Sequence, residues 1–400
     1  MPLHWLRVPF LNSTIPLESS YNNMPINDDI QDNLIEAQLD TMRLTESSLR
    51  SVRALLESMT QEIRDSLSKN QYNPTEPSRI TAKRARAKRF LDEVLTPRID
   101  GTYDAMAALV SADMLDIASI TVASTRFAVG VAIGVDVMSI GVPDAVLNTL
   151  VSNTLIPLGQ QSATGREWWL RLAEKAKQRS YDEINKGIAY GENLQQITTR
   201  IRGTKARNYE DGVDALTKRE ADLVVSTYAN GVLNEARKAS FDANADVISS
   251  VTHVSTLDGR TTLVCISRDG NTYSLPGYLP IPPTTAPFLS GPPYHAKCRS
   301  AIVPVIRSFT ELLQSDLGVR MDGQLKALPE PERASIDGQL PGGTTFDDFL
   351  RRKGEDFQVK LLGRVRRDLW SRGVLSLKDV LSAATGEPIS VKELLAKYFL

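Results

Sequence analysis

Cysteine is almost absent from this chain, with two in 400 residues, and histidine is nearly as rare at three. Two thiols exclude a disulfide scaffold and fit assembly in a reducing compartment. No charge of one sign dominates: the formal net charge is −1, which excludes a protein whose whole surface coats nucleic acid and leaves only local basic clusters for that task. The most apolar region, 106–158, is interrupted by Asp113, Asp116, Arg126, Asp136 and Asp144. No run of 18 apolar residues survives, which argues against a transmembrane helix. The first twenty residues hold no apolar core of signal-peptide length. Walker A, G-x-G-x-x-G and H-E-x-x-H patterns are missing, so nucleotide hydrolysis and zincin chemistry have no support.

What is present is a folded composition: 42% apolar and 24% charged residues are the proportions of a globular chain. Its length is too great for one ordinary core and predicts two or three domains. Residues 1–28 lack periodicity and read as an extended arm. Region 29–100 is helical in character, with Leu34, Leu39, Met42, Leu49, Leu55 and Ile63 on one face, and the Pro-containing stretch 70–78 breaks it. The basic run Lys83, Arg84, Arg86, Lys88 and Arg89 is a candidate contact for DNA or an acidic partner. The competing reading is a solvated face with Phe90 and Leu91 packed behind it.

Region 101–160 is apolar and rich in small residues, with Gly130, Gly134 and Gly141. That pattern predicts tightly packed helices, as a buried hairpin or an oligomer contact; a membrane-active segment over 105–158 is the alternative. From Arg166, Trp169, Leu172, Ala176, Ile184 and Ile188 recur at helical spacing up to Gly191. A short helix, 194–201, stops at Gly203. The T-x-x-E pattern of Thr217 and Glu220 predicts the start of a long helix ending near Asn244.

Beyond it, 247–257 and 261–266 read as two strands joined by an Asp258-Gly259 hairpin turn. Asp269-Gly270 turns the chain again, a Pro-rich loop follows, and 301–306 reads as a closing strand. Residues 309–316 read as a short helix and 327–343 as loop. In the tail, Phe357, Leu361, Val365 and Leu369 lie four apart, predicting one helix interleaved with basic residues. Arg364, Arg366 and Arg367 are its candidate phosphate contacts, which would be salt-sensitive and without sequence preference.

Cys265, His295 and Cys298, with His253 as a fourth donor, are a candidate tetrahedral zinc site, since zinc takes Cys and His and the H-x-x-C spacing brings two donors to one ion. The same residues allow two other readings: buried small side chains without metal, or a cysteine nucleophile with His295 as base. Asp258 and Asp269 read as turn residues ahead of Gly259 and Gly270. Arg260 and Arg299 are their candidate partners.

The order STLDGRTTLVCISRDGNTY, a Pro-rich loop, then GPPYHAKCRSAIVPV resembles the phage Mu F-type minor head protein (head morphogenesis) family of tailed bacteriophages. The resemblance is tightest over 190–306, and the tail from Met321 resembles a C-terminal extension found in one branch of that family. It implies a mainly α protein with a small β-containing core, elongated and multi-segment, with a head-morphogenesis domain at 161–306, a linker at 307–343 and a basic helical extension at 344–400. It implies a non-catalytic role at the portal inside the capsid, with portal, coat or scaffold protein and packaged DNA as partners and no small-molecule substrate. The host cytoplasm would be the place of assembly. The alternative within the same setting is an internal protein ejected with the genome. Many members carry Cys-x-x-Cys and His-x-x-Cys-x-Cys; here Thr262 and Ser300 stand in two of the cysteine positions, so only part of the family's donor set remains.

Overall fold

The computed structural model describes residues 26–69, 82, 85, 88–133, 138, 140–307, 332–341, 344–381 and 388–399. The fold is mainly α with small antiparallel sheets. Helix α1 (Ile26–Lys69) packs along α2 (Thr96–Ile133); both lie against the long α6 (Val213–Ala243), and α2 and α6 also pack on α4 (Gly165–Ala189). The seam is built from positions three and four apart. Val52, Leu56, Met59 and Ile63 of α1 meet Met106, Val110, Met114 and Ile117 of α2, with Trp169 and Leu172 of α4 and Val224, Tyr228 and Val232 of α6. Pro97 has no N–H to give the ladder, and the turn before it is a π turn (Leu91–Leu95) in which the Thr96 N–H reaches back to the Leu91 carbonyl.

By length and composition the stretch Lys88–Gly130 is apolar enough to cross a membrane, with mean hydropathy 1.6 in its best window, contrary to the expectation from its embedded aspartates. Its apolar positions serve the α1–α2 core, and its polar ones are accommodated: Asp113 accepts a 2.6 Å hydrogen bond from Ser48 of α1, and Asp116 is exposed. Within 105–158 the helix packs against α3 (Asp144–Asn153), whose Leu147 and Val151 join the same core, and its larger partner is α1; the chain continues into the strand pair β1 (Leu155–Leu158) and β2 (Gln161–Thr164).

Thr164 and Glu167 form a complete capping box at the start of α4. The Thr217/Glu220 pair does not cap α6, which begins four residues earlier with Gly212 at its N-cap. Thr217 instead donates back to the Val213 carbonyl, and Glu220 accepts two bonds from Arg179 of α4. The helix starts earlier because Gly212 abuts Gly203, the C-cap of α5 (Leu194–Arg202), closing the α5–α6 turn on itself.

The predicted Asp258-Gly259 hairpin is not formed. Strand β3 (Ile248–Val254) sits centrally between β4 (Thr272–Ser274) and β5 (Ala301–Ile306), antiparallel to both. Residues 263–268 are a helix, α7 (Leu263–Arg268), not a strand. The reason lies in spacing: a helical turn puts Leu263 and Ile266 on one side, where both pack against the C-terminal residues, and Cys265 on the other. A strand would pair Leu263 with Cys265 instead.

Residues 332–341, expected to be loop, form the hairpin β6 (Glu332–Ser335) and β7 (Gly338–Pro341). The C-terminal helices α8 (Phe346–Arg351), α9 (Glu355–Leu362), α10 (Arg364–Ser371) and α11 (Val391–Phe399) close the chain. The single helix predicted across 357–369 is broken at Gly363, whose φ of 79° lies in the left-handed region. Phe357 and Leu361 thus face one cluster, with Phe346, Phe349 and Trp370. Val365 and Leu369 face another, with Leu375 and Leu394. Residues 309–316 lie outside the described residues.

A Cβ on Gly212 would stand 2.3 Å from the Gly203 nitrogen and 2.4 Å from the Arg202 carbonyl carbon. Backbone cannot swing aside as a side-chain tip can. Gly212→Ala is expected to destabilise the protein by about 1–3 kcal/mol, read as a lowered urea midpoint with unchanged far-ultraviolet dichroism.

Candidate metal centre

Two segments meet at the cluster. Helix α7 delivers Cys265; the turn 294–298 delivers His295 and Cys298. That turn is fixed from below by α6: the Thr227 hydroxyl accepts from the Lys297 N–H at 3.0 Å, with Lys297 at a φ of 53°. The Asn234 amide donates to the Ser300 carbonyl at 3.3 Å and accepts from the Ile302 N–H at 3.1 Å. From the side, Ser255 donates its hydroxyl to the Cys265 carbonyl at 2.9 Å.

Cys265 Sγ lies 3.2 Å from His295 Nε2 and 3.6 Å from Cys298 Sγ, and the three donor atoms all fall within 4.8 Å of one another. Both cysteines are buried, at 1% and 2% exposure, while His295 is half-buried, leaving its side of the cluster as the approach for an ion. His295 Nδ1 lies 2.9 Å from the Ala296 carbonyl. A carbonyl oxygen only accepts, so Nδ1 carries a proton and Nε2 is the ring atom turned to the sulfurs. These residues could hold a metal ion.

The thiols are unequal. The Cys298 thiol is pulled down by its contact with the Cys265 sulfur and, against the cost of burial, by His295. Cys265 is pushed up by that same contact and by burial. Burial disfavours the His295 imidazolium, but the Cys298 sulfur outweighs it and the ring's pKa rises. The arrangement favours a thiolate on Cys298 over one on Cys265. The Thr262 and Ser300 hydroxyls both lie against the Cys265 sulfur and border this same cluster.

The structure does not bring His253 in. It sits on β3 with its ring 5.6 Å from that of Tyr294, beside the cluster but outside its set of donors. Asp258 is gripped by Arg299 through two bonds, 2.5 and 2.7 Å, and accepts the Arg260 N–H at 2.8 Å; the Arg260 side chain is exposed. Asp269 serves the backbone. Its two oxygens accept backbone N–H groups, from Ser255 and from Phe346, each at 2.9 Å. Gly270 takes a φ of 72° and donates its N–H to the His253 carbonyl. Sequence reasoning missed Thr227 and Asn234; the available signal was the polar series Thr227, Asn230 and Asn234 within the apolar stripe of α6.

Among the basic candidates, Lys88 and Arg89 are exposed, and Lys83, Arg84 and Arg86 lie outside the described residues. Arg364 is exposed. Arg366 donates to the Ile389 carbonyl at 2.7 Å, and Arg367 reaches Gln358 and Glu355, so these two tie the C-terminal helices together.

Burial alone would raise the Asp258 pKa, but the Arg299 bonds, the Arg260 N–H and both positive charges bring it from 3.8 to about 2. The folded value lies below the unfolded one, so this contribution is complete above about pH 4 and is lost as pH falls towards 2. Allowing for the partial exposure of Arg299, it amounts to about 1–2 kcal/mol. Arg299→Gln should remove that amount at pH 7 and flatten the acid limb of a stability–pH curve measured in urea. No family model, no curated protein and no solved structure matches this chain.

Proposed function

We propose that this chain is a non-catalytic minor head protein of the Mu F type, bound to the portal inside the capsid of a tailed bacteriophage, and that a structural zinc ion clips its β-containing core. The observation that carries the reading is the buried convergence of Cys265, His295 and Cys298 within the segment that resembles that family. Two thiolates on a tetrahedral zinc stand about 3.8 Å apart, given Zn–S bonds of about 2.3 Å, and the observed separation is 3.6 Å. The half-buried His295 and the fixed Nδ1 proton are what a zinc-binding imidazole requires. A bound ion would neutralise both thiolates and tie the 294–298 turn to α7 more firmly than the contacts among the three side chains do.

Burial also weighs against the nucleophile reading. A thiolate beside an imidazolium has the chemistry of a cysteine nucleophile, but Cys298 is 2% exposed. The clefts along α3 and α6 and along α4 and α5 are lined by none of the three residues. The working surfaces would then face portal, coat or scaffold protein, with Lys88, Arg89 and Arg364 as non-specific contacts to packaged DNA. An internal protein ejected with the genome is the second reading, favoured by the length and hydropathy of Lys88–Gly130.

Two measurements test this. Purified protein should carry one zinc per chain by elemental mass spectrometry, and a Cys265→Ser, Cys298→Ser double variant none; a wild type that stays zinc-free after refolding with excess zinc rejects the metal reading. Quantitative mass spectrometry of virions before and after DNA release should find a few copies per portal that remain with the emptied head. Copies that leave with the DNA favour the ejected-protein reading, and absence from virions rejects both.

A further inference from the structure

The helix that carries Cys265 is also the floor on which the C-terminal helices stand. Helix α7 is six residues long, too short to hold its shape alone, and it is held from two opposite sides. On one side Cys265 meets His295 and Cys298. On the other, Ile266 and the partly buried Leu263 pack with Phe346, Phe349, Leu362 and Trp370. The residue that ends the helix, Asp269, is 5% exposed and spends one carboxylate oxygen on the Phe346 N–H at the start of α8. The turn before α7 joins the same contact: a Cβ on Gly259 would stand 3.2 Å from the Phe357 ring.

We propose that metal binding at Cys265, His295 and Cys298 is coupled to docking of the C-terminal unit, residues 346–381, so that the cluster is a metal-controlled latch for that unit. The proposal rests on the metal reading above. Whatever fixes the orientation of α7 lowers the cost of the second event that needs the same orientation. Coupling of this kind is reciprocal: metal tightens docking, and docking tightens metal binding by the same factor. The chemistry at the cluster thereby reaches a surface that contains none of its donors.

The test uses the full chain and cobalt(II) as the probe, because its thiolate charge-transfer band reports binding directly. Saturation with cobalt should slow amide exchange across 346–371 as well as across 263–268 and 294–300. Phe349→Ala, which removes a fully buried ring of the C-terminal cluster and no donor, should weaken cobalt binding by about 5- to 150-fold. Where that variant loses protection in α6 as well, Asp269→Asn replaces it: the shape is kept, one acceptor is lost, and α6 protection reports that the fold stands. Absence of the charge-transfer band in the wild type rejects the metal reading and the latch together. A band of normal affinity in a folded variant, with unchanged exchange at 346–371 on cobalt addition, rejects the latch and leaves the metal reading intact.

Discussion

The side-chain amide of Asn234 is the interaction on which the β-containing core depends. It sits inside an otherwise apolar stripe of α6 and offers a donor to the Ser300 carbonyl and an acceptor to the Ile302 N–H. A neighbouring strand would make the same pair of contacts along the free edge of β5. A helix therefore terminates a sheet, with Pro304 in the same strand withholding a further N–H. Thr227, two turns earlier, holds the Lys297 N–H in the same way. Because α6 is also the centre of the large helical core, any tilt that suited the helices alone would detach the strand and the turn that carries His295 and Cys298.

That dual duty explains a polar cost the helix accepts. Buried Asn and Thr are expensive unless their hydrogen bonds are satisfied, and here they are satisfied by backbone groups that a loop of this length would otherwise leave open. The turn 255–262 is organised by a different force. Arg299 holds Asp258 from across the loop, so the ends of the Pro-rich excursion are joined by charge on one side and by α6 on the other.

Long periodic segments were legible in the sequence, and short ones held from outside were not. The helices α1, α4 and α6 each declare themselves by apolar residues three and four apart, and the glycines at 191 and 203 mark real ends. Residues 263–268 carry β-branched and apolar side chains that read as strand, but their conformation is decided by Leu263 and Ile266 reaching residues nearly a hundred positions later, which no local window contains. The T-x-x-E pattern at Thr217 misled for a related reason: Glu220 had a stronger partner in Arg179, across the core. At the site, Cys265, His295 and Cys298 were legible because thiols and imidazoles are rare here and closely spaced. His253 was drawn in by residue type alone, and the strand direction of β3 places it against Tyr294 instead. Thr227 and Asn234 were hidden because asparagine and threonine on a helix usually announce solvent.

Asp269 gives the chain a direction in time. One of its oxygens is satisfied by Ser255, fourteen positions before it, and the other by Phe346, seventy-seven positions after it. A polypeptide emerging from the ribosome can complete α6 and the three-stranded sheet while this carboxylate still faces water on one side. Only when the start of α8 has been made can the turn after α7 be sealed by the Phe346 N–H.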